Sequence, residues 1–125
     1  MSKGQRIRVL IAGRQEVARS ALEAFLHLRP ELEVMAVAAD TPDLLAQAEA
    51  AVPDVILVDW DLFNGLFEDL VSALHQLDCQ PKVILLGSSS AAEQAAQVSG
   101  VDAFVSRYEP PRSLLTAIHT VHLEG

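Results

Sequence analysis

The chain of 125 residues contains one cysteine, Cys79, so it cannot form a disulfide within itself. It has no apolar stretch close to the roughly 20 residues that a helix needs to cross a bilayer. It also lacks a leader with a charged, then an apolar, then a small-residue part. Together these absences predict a protein of the reducing cytoplasm that has no membrane partner.

Lysine and arginine are absent from residues 30 to 81, where eleven aspartates and glutamates occur. Six of the nine basic side chains lie in the first 29 residues, and the formal net charge is −8. Since phosphate contacts dominate affinity for nucleic acid, we expect no direct nucleic-acid binding. Arg19 and Arg29 indicate either a basic helix face for an acidic protein partner or an ordinary solvated face, which is favoured.

Motifs of the common enzyme classes are missing. Gly13 lacks the GxGxxG spacing of a dinucleotide-binding loop, and no Ser/His/Asp or Cys/His arrangement stands out. The serines after Gly87 fit a phosphate-binding loop, but a turn that caps the next helix is favoured. The sequence therefore predicts a protein that is not an enzyme.

Short apolar runs alternate five times with longer amphipathic segments, as in a parallel sheet with helical crossovers. The predicted strands are Ile7 to Ala12, Leu32 to Ala38, Asp54 to Val58, Lys82 to Leu86 and Ala103 to Val105. The predicted helices are Val17 to Leu28, Pro42 to Ala51, Leu66 to Leu77, Ala91 to Val98 and Ser113 to Leu123.

Helix boundary signals agree with this pattern. Thr41 and Pro42 fit the N-cap and first position of the second helix, and Pro53 ends it. Gly100 fits the C-cap of the fourth helix, and Pro111 opens the fifth. We predict one doubly wound α/β domain, a flavodoxin-like (βα)5 three-layer sandwich with sheet order 2-1-3-4-5. It spans residues 7–122, between an N-terminal tail (1–6) and a C-terminal tail (123–125).

Asp59 closes the central apolar run, so we expect it at the carboxyl end of a buried parallel strand. In this strand order the ligand crevice lies between the first and third strands. Gly13 and Arg14 end the first strand and would face Asp59 across that crevice, with Asp61 in the same loop. A single acid opposite an arginine differs from an acidic metal cluster.

The order of elements, Asp59, and the segment from Val101 to Arg107 followed by Pro111 resemble a response-regulator receiver domain. The resemblance covers about Ile7 to His122. The opening from Ile7 to Ala12 and the helix from Pro111 to Ile118 look most similar to receivers of NarL and LuxR-like regulators. The resemblance implies a two-component signalling module.

In this family, an aspartate at the position of Asp59 accepts a phosphoryl group from a histidine kinase. Two acids after the first strand help it to hold Mg²⁺, as phosphoryl transfer requires. Here Gly13 and Arg14 replace that pair. The resemblance therefore implies no resident cofactor, with Mg²⁺ binding doubtful and an atypical, degenerate site.

Three further family positions can be assigned. The switch hydroxyl falls on Gly87, with Ser88 as a substitute only if the loop shifts by one residue. The phosphate-binding lysine falls on Arg107, which keeps the charge but not the donor geometry. Phe104 matches the aromatic switch.

We hypothesise that Arg14, Arg107 or both pair with Asp59 and Asp61, so that guanidinium charge does what metal does elsewhere. On this hypothesis, replacing Arg14 with alanine loosens the loops around Asp59. The alternative is that Arg14 points to solvent and Asp59 is idle. Trp60 is expected either to anchor a partner or to pack over the start of the third helix.

Three functions remain open. The favoured one is an atypical receiver that acts through protein contacts, with a signalling protein, an output domain or a second copy at the face of the fourth helix, fifth strand and fifth helix. The second is a phosphoaccepting receiver, using Asp59, that controls a transcriptional output domain. The third is a flavodoxin-like module that binds a small molecule. We expect either a stand-alone receiver or one whose output domain was removed.

Overall fold

Five strands alternate with five helices in the computed structural model, which describes residues 6–62 and 67–124. The strands are β1 (Ile7–Ala12), β2 (Leu32–Ala38), β3 (Val55–Asp59), β4 (Lys82–Gly87) and β5 (Ala103–Ser106). The helices are α1 (Glu16–His27), α2 (Thr41–Ala51), α3 (Phe67–His75), α4 (Ser90–Ser99) and α5 (Pro111–Glu124). A 3₁₀ turn, Trp60–Leu62, follows β3 directly.

The strands form one parallel sheet in the order β2-β1-β3-β4-β5, which confirms the predicted topology. β3 lies at the centre, and all five of its residues are buried. Its continuous apolar sequence follows from this position, because helices cover both faces of the sheet. The two edges are β2 and β5.

Side chains of each strand alternate between two hydrophobic cores. On β1, Val9 and Ile11 join the core under α1 and α5, while Leu10 and Ala12 join the core under α2 and α3. Both cores consist of side chains with almost no solvent exposure. The strand period of two therefore builds the three layers of the sandwich.

Some boundaries differ from the predicted ones. Asp40, and not Thr41, caps α2, because its carboxylate accepts the backbone N–H of Asp43 at 2.8 Å. Strand β3 includes Asp59 itself, and β4 continues to Gly87. Gly100 is confirmed as the C-cap of α4, with φ +86°.

Helix ends also differ from the predicted ones, and α4 runs from Ser90 to Ser99 instead of from Ala91 to Val98. α1 lies one residue earlier than predicted, and α5 extends from Pro111 to Glu124, since proline suits the first turn of a helix. α3 ends at His75, before the predicted Leu77. Its predicted first residue, Leu66, lies outside the described residues, as does most of the predicted N-terminal tail.

Within residues 6–62 and 67–124, no helix is both long and apolar enough to span a membrane.

Val52 ends α2 in a left-handed conformation, with φ 54° and ψ 59°. A β-branched side chain is strained there, whereas glycine is not. The Arg8 guanidinium supports this end of the helix by donating to the carbonyl oxygens of Ala51 at 2.6 Å and Val52 at 3.3 Å. The helix therefore ends at a strained residue whose carbonyl oxygen, like that of Ala51, accepts a hydrogen bond from the Arg8 side chain.

Replacing Val52 with glycine is expected to raise the free energy of unfolding by about 1 kcal/mol, because it removes the left-handed strain. Urea denaturation measures this change. Ala46→Gly, at an exposed position within the same helix, is the matched control and should destabilise by about 1 kcal/mol. Equal destabilisation by both variants would contradict the interpretation.

Candidate functional site

The carboxyl ends of the central strands bring the site together. In the strand register, Asp59 of β3 pairs with Leu86 of β4, and Gly87 pairs with Ser106 of β5. Arg107 follows Ser106 directly. Parallel strands that end at one edge therefore place Asp59, Gly87 and Arg107 side by side.

The Asp59 carboxylate is nearly buried, with 9% of the residue exposed. Its Oδ1 accepts the backbone N–H of Asp61 at 3.0 Å. Its Oδ2 forms an ion pair with Nη2 of Arg107. Both carboxylate oxygens are thus engaged by the protein.

The loop after β5 sets the position of Arg107. The backbone N–H of Arg107 donates to the carbonyl of Gly87 at 3.0 Å, which ties the loop to the end of β4. Glu109 accepts the N–H of Ser106 at 2.9 Å, and the Ser106 hydroxyl accepts the N–H of Tyr108 at 3.2 Å. The Arg107 side chain is 39% exposed, and its guanidinium forms the ion pair with Asp59.

Gly13 faces Asp59, as predicted. It is buried, and a Cβ built on it would lie 3.4 Å from the Asp59 Cβ and 3.8 Å from Oδ2. Arg14 is exposed, and among the described residues Arg107 is the partner of the Asp59 ion pair. The structure thus assigns the hypothesised pairing to Arg107 and not to Arg14. Asp61 is exposed and contributes its backbone N–H to Asp59.

Arg19 belongs to this region, although sequence reasoning placed it only on a helix face. Its Nη1 donates to the carbonyl oxygens of Gly13 at 2.7 Å and Arg14 at 3.1 Å. Its Cγ lies 3.4 Å from the Cβ that Gly13 lacks. The sequence signal for this contact is the position of Arg19 near the start of α1, because a long side chain there reaches back to the preceding loop.

Gly87 lies where three elements meet. A Cβ at this position would come within 2.6 Å of the Ala92 Cβ of α4, 3.4 Å of the Trp60 Cβ and 3.5 Å of Cε1 of Phe104. Ala92 is fully buried. The missing side chain of Gly87 therefore lets α4 approach the end of β4 closely.

Comparison with known proteins decides the family. Residues 9–119 match the family described as the response regulator receiver domain. The chain belongs to this family. A receiver domain is a signalling module rather than an enzyme, which agrees with the sequence prediction.

Two curated relatives come from Bacillus subtilis (strain 168). The transcriptional regulatory protein LnrK is 27% identical over 95% of this chain and 55% of its own length. The transcriptional regulatory protein LiaR is 37% identical over 66% of this chain and 39% of its own length. The chain thus spans about half or less of each regulator.

Solved structures share the receiver fold. A two-component response regulator of the LuxR family from Aurantimonas sp. SI85-9A1 has a TM-score of 0.85 at 20% identity, over 96% of this chain and 87% of its own. The signal receiver domain of the putative response regulator NarL from Mycobacterium tuberculosis has a TM-score of 0.84 at 19% identity, over 97% and 99%. The resemblance to NarL and LuxR-type receivers is confirmed at the level of the fold.

The remaining predicted residues of this receiver can now be placed. Phe104, the predicted aromatic switch, is half-buried and has its ring edge near Gly87. Ser88 is exposed after the strand, and Ser89 caps α4 by accepting the N–H of Ala92 at 3.1 Å. The favoured interpretation of the serines as a helix-capping turn is confirmed. Their roles in signalling stay predictions.

Trp60 packs inside the receiver next to this site. Its ring makes an edge-to-face contact with Phe67 at the start of α3, with centroids 5.6 Å apart and planes at 72°. It is half-buried against the core under α2 and α3. This contact agrees with the expected packing over the start of the third helix.

Acidic, histidine and cysteine side chains are the usual metal ligands of proteins. In the described ranges no three of them form a cluster that could hold a metal ion.

Two groups elsewhere in the receiver have pKa values shifted from their ordinary ones. A hydrogen bond from its own backbone, ahead of the His119 contact at 3.1 Å, lowers the pKa of Glu31. Burial raises the pKa of the Cys79 thiol.

Replacing Arg107 with alanine should lower the free energy of unfolding by about 1–3 kcal/mol, because the nearly buried Asp59 carboxylate loses its charged partner. Partial exposure of Arg107 keeps the effect below that of a fully buried pair. Amide hydrogen exchange at Asp61 and in the loop after β5 should speed up.

Arg14→Ala is the matched control, because Arg14 is exposed. It should change both measurements little. If Arg14→Ala loosened the Asp59 loops more than Arg107→Ala did, the assignment of the pair would be wrong.

Replacing Gly87 with alanine should destabilise the receiver by about 1–3 kcal/mol, because the new methyl group overlaps the Ala92 Cβ. In a double-mutant cycle, Ala92→Gly should recover part of this loss. Ala91→Gly, one residue earlier and exposed, carries the same helix cost without the contact. Equal recovery by Ala91→Gly would show that the clash at Ala92 is not the cause.

Proposed function

We propose that this receiver domain signals by binding other proteins, that its Mg²⁺-dependent phosphotransfer is impaired, and that the Arg107–Asp59 ion pair holds one conformation without phosphorylation. The observation that carries the proposal is the engagement of both Asp59 oxygens, Oδ2 by Arg107 and Oδ1 by the backbone N–H of Asp61.

Phosphoryl transfer to a carboxylate requires an oxygen that can attack the phosphorus in line, with cations on the transferred oxygens. A guanidinium bonded to the attacking carboxylate lowers its nucleophilicity and occupies the approach. Arg107 must therefore leave Asp59 before transfer. Its loop is fixed by the backbone bond to Gly87, so only the side chain can move without disrupting the end of β4.

The residues present do not fit resident Mg²⁺. Magnesium prefers several oxygen ligands in octahedral geometry, with carboxylates supplying the charge. Gly13 has no side chain, Arg14 brings positive charge to the adjoining loop, and Arg107 holds Oδ2 of Asp59. The donor set left is too small and too positive, which supports the cofactor-free interpretation.

Protein contacts are assigned to the face built from α4, β5 and α5. β5 is an edge strand, and Val98 at the end of α4 is 73% exposed. Ala91, at the start of α4, is small and exposed and allows close approach of a partner, whereas Ala95 and Ala96 pack partly against the core under α2 and α3. We propose that a second copy or an output domain binds here. The named relatives are transcriptional regulators, so control of transcription is the proposed role of the whole protein.

Trp60 fluorescence during Mg²⁺ titration tests this proposal, followed by addition of acetyl phosphate and intact-mass measurement. We expect no saturable quench and no phosphoryl adduct, because Arg107 occupies Asp59. Asp59→Ala is the control for non-specific labelling. A saturable quench together with an adduct that is lost in Asp59→Ala would overturn the proposal and favour the phosphoaccepting receiver that uses Asp59.

A repaired variant gives the positive control. Gly13→Asp with Arg14→Asp restores two acids, and Arg107→Lys replaces the planar guanidinium with a compact ammonium. This triple variant should show Mg²⁺-dependent Trp60 quenching where the natural chain shows none. An unresponsive triple variant that unfolds normally in urea would mean that these three positions are not what impairs the site.

A further inference from the structure

A cavity of about 490 Å³ opens between α1 and α5, beside the Asp59 site. This volume lies within the range of small-molecule pockets in proteins. Its side walls are formed by α1 residues one helical turn apart and by the first turn of α5, and its floor by the ends of the strands. The side-wall residues include Ala18, Ala21, Leu22, Phe25, Pro111 and Leu114.

Small side chains create this space. Ala18 and Ala21 lie on the α1 wall of the cavity, where larger residues would fill it. Pro110 and Pro111 on the opposite wall have short rings that do not reach across. Since the lining is mostly apolar, a ligand gains affinity by removing an apolar body from water.

Arginine donors gather at one end of the cavity. Both Arg19 and Arg107 contribute to its lining. Within the part of the chain that the structure describes, Arg19 uses only Nη1 on protein acceptors, and Arg107 pairs through Nη2 alone. Each guanidinium has five N–H donors, so both retain donors for a further acceptor.

The acids at the same end, Asp59 and Glu109, already accept hydrogen bonds within the protein. Asp59 accepts from Arg107 and from the backbone N–H of Asp61, and Glu109 accepts the backbone N–H of Ser106 at 2.9 Å. Arg19 is bonded to two carbonyl oxygens and to no carboxylate. A ligand with anionic oxygens would complement these donors.

We propose that this cavity binds a small apolar carboxylic acid, with its apolar body between α1 and α5 and its carboxylate on Arg19 and Arg107. A carboxylate on Arg107 competes with Asp59 for the same guanidinium. Ligand binding therefore weakens the Arg107–Asp59 pair and loosens the loop after β5. This consequence rests on the proposed role of that pair, whereas binding to the cavity does not.

The test uses 2-naphthoate as the probe and 2-naphthamide as its neutral isostere, both titrated by calorimetry into the full chain. We expect saturable naphthoate binding and at least tenfold weaker amide binding, because only the carboxylate forms charge-assisted bonds. Equal affinity for the two probes, or no binding of naphthoate, would overturn the proposal.

Variants locate the site. Arg19→Met should weaken naphthoate binding by about tenfold and leave amide binding unchanged, while Arg6→Met, exposed and outside the cavity lining, should change neither. Ala21→Phe fills the cavity from an exposed position and should abolish binding of both probes. Ala24→Phe, exposed on the same helix but outside the lining, is its control. Unchanged binding in Ala21→Phe would place the probe elsewhere.

Asp59→Asn tests the competition for Arg107. Because the amide releases the guanidinium, naphthoate should bind this variant about fivefold more tightly than the natural chain. Unchanged affinity would refute the competition. The naphthoate titrations need neither Mg²⁺ nor a phosphodonor. Failure of this proposal can therefore be distinguished from failure of the proposed function.

Discussion

The ion pair between Asp59 and Arg107 is the interaction on which the site depends. A carboxylate at the end of a central buried strand is partly removed from water and must be compensated by charge or hydrogen bonds. In this receiver the compensation comes from the protein itself, through one guanidinium and one backbone amide. The loop after β5 carries Arg107, so the need to compensate the Asp59 charge explains why this loop lies beside the end of β3.

Gly87 links this pair to α4. Its carbonyl oxygen accepts the N–H of Arg107, and its missing side chain admits Ala92 of α4. The same residue thus contacts the charged loop on one side and the helix of the proposed interaction face on the other. A side chain at this position would have to displace α4, so the close packing of α4 accounts for a glycine here.

Charge is divided between the two faces of the sheet. The segment without lysine or arginine, residues 30 to 81, contains β2, α2, β3 and α3. Four of the seven arginines, Arg14, Arg19, Arg29 and Arg107, lie on α1 or on the loops next to α1 and α5, and Arg19 and Arg107 line the cavity. Long-range attraction of an anionic ligand would therefore favour the side of the cavity over the opposite face.

Hydrophobic periodicity and right-handed crossovers allow few arrangements of five such units, so the fold class, the strand order and the position of Asp59 could be predicted from the sequence. Helix ends were less predictable. Asp40 and Thr41 are both good caps, and the choice between them depends on which oxygen reaches the N–H of Asp43.

Which arginine pairs with Asp59 depends on packing between elements and could not be predicted from the sequence. Arg14 directly follows the first strand and was therefore expected beside Asp59, but it is exposed. Arg107 instead reaches Asp59 from the loop after β5, which is held by a hydrogen bond to Gly87 and by bonds within the loop. The contacts of Arg19 and the cavity between α1 and α5 could not be predicted either, because they depend on side-chain direction and on the distance between the two helices. One-dimensional patterns record which residues share a face, but contacts between elements distant in the chain arise only from packing.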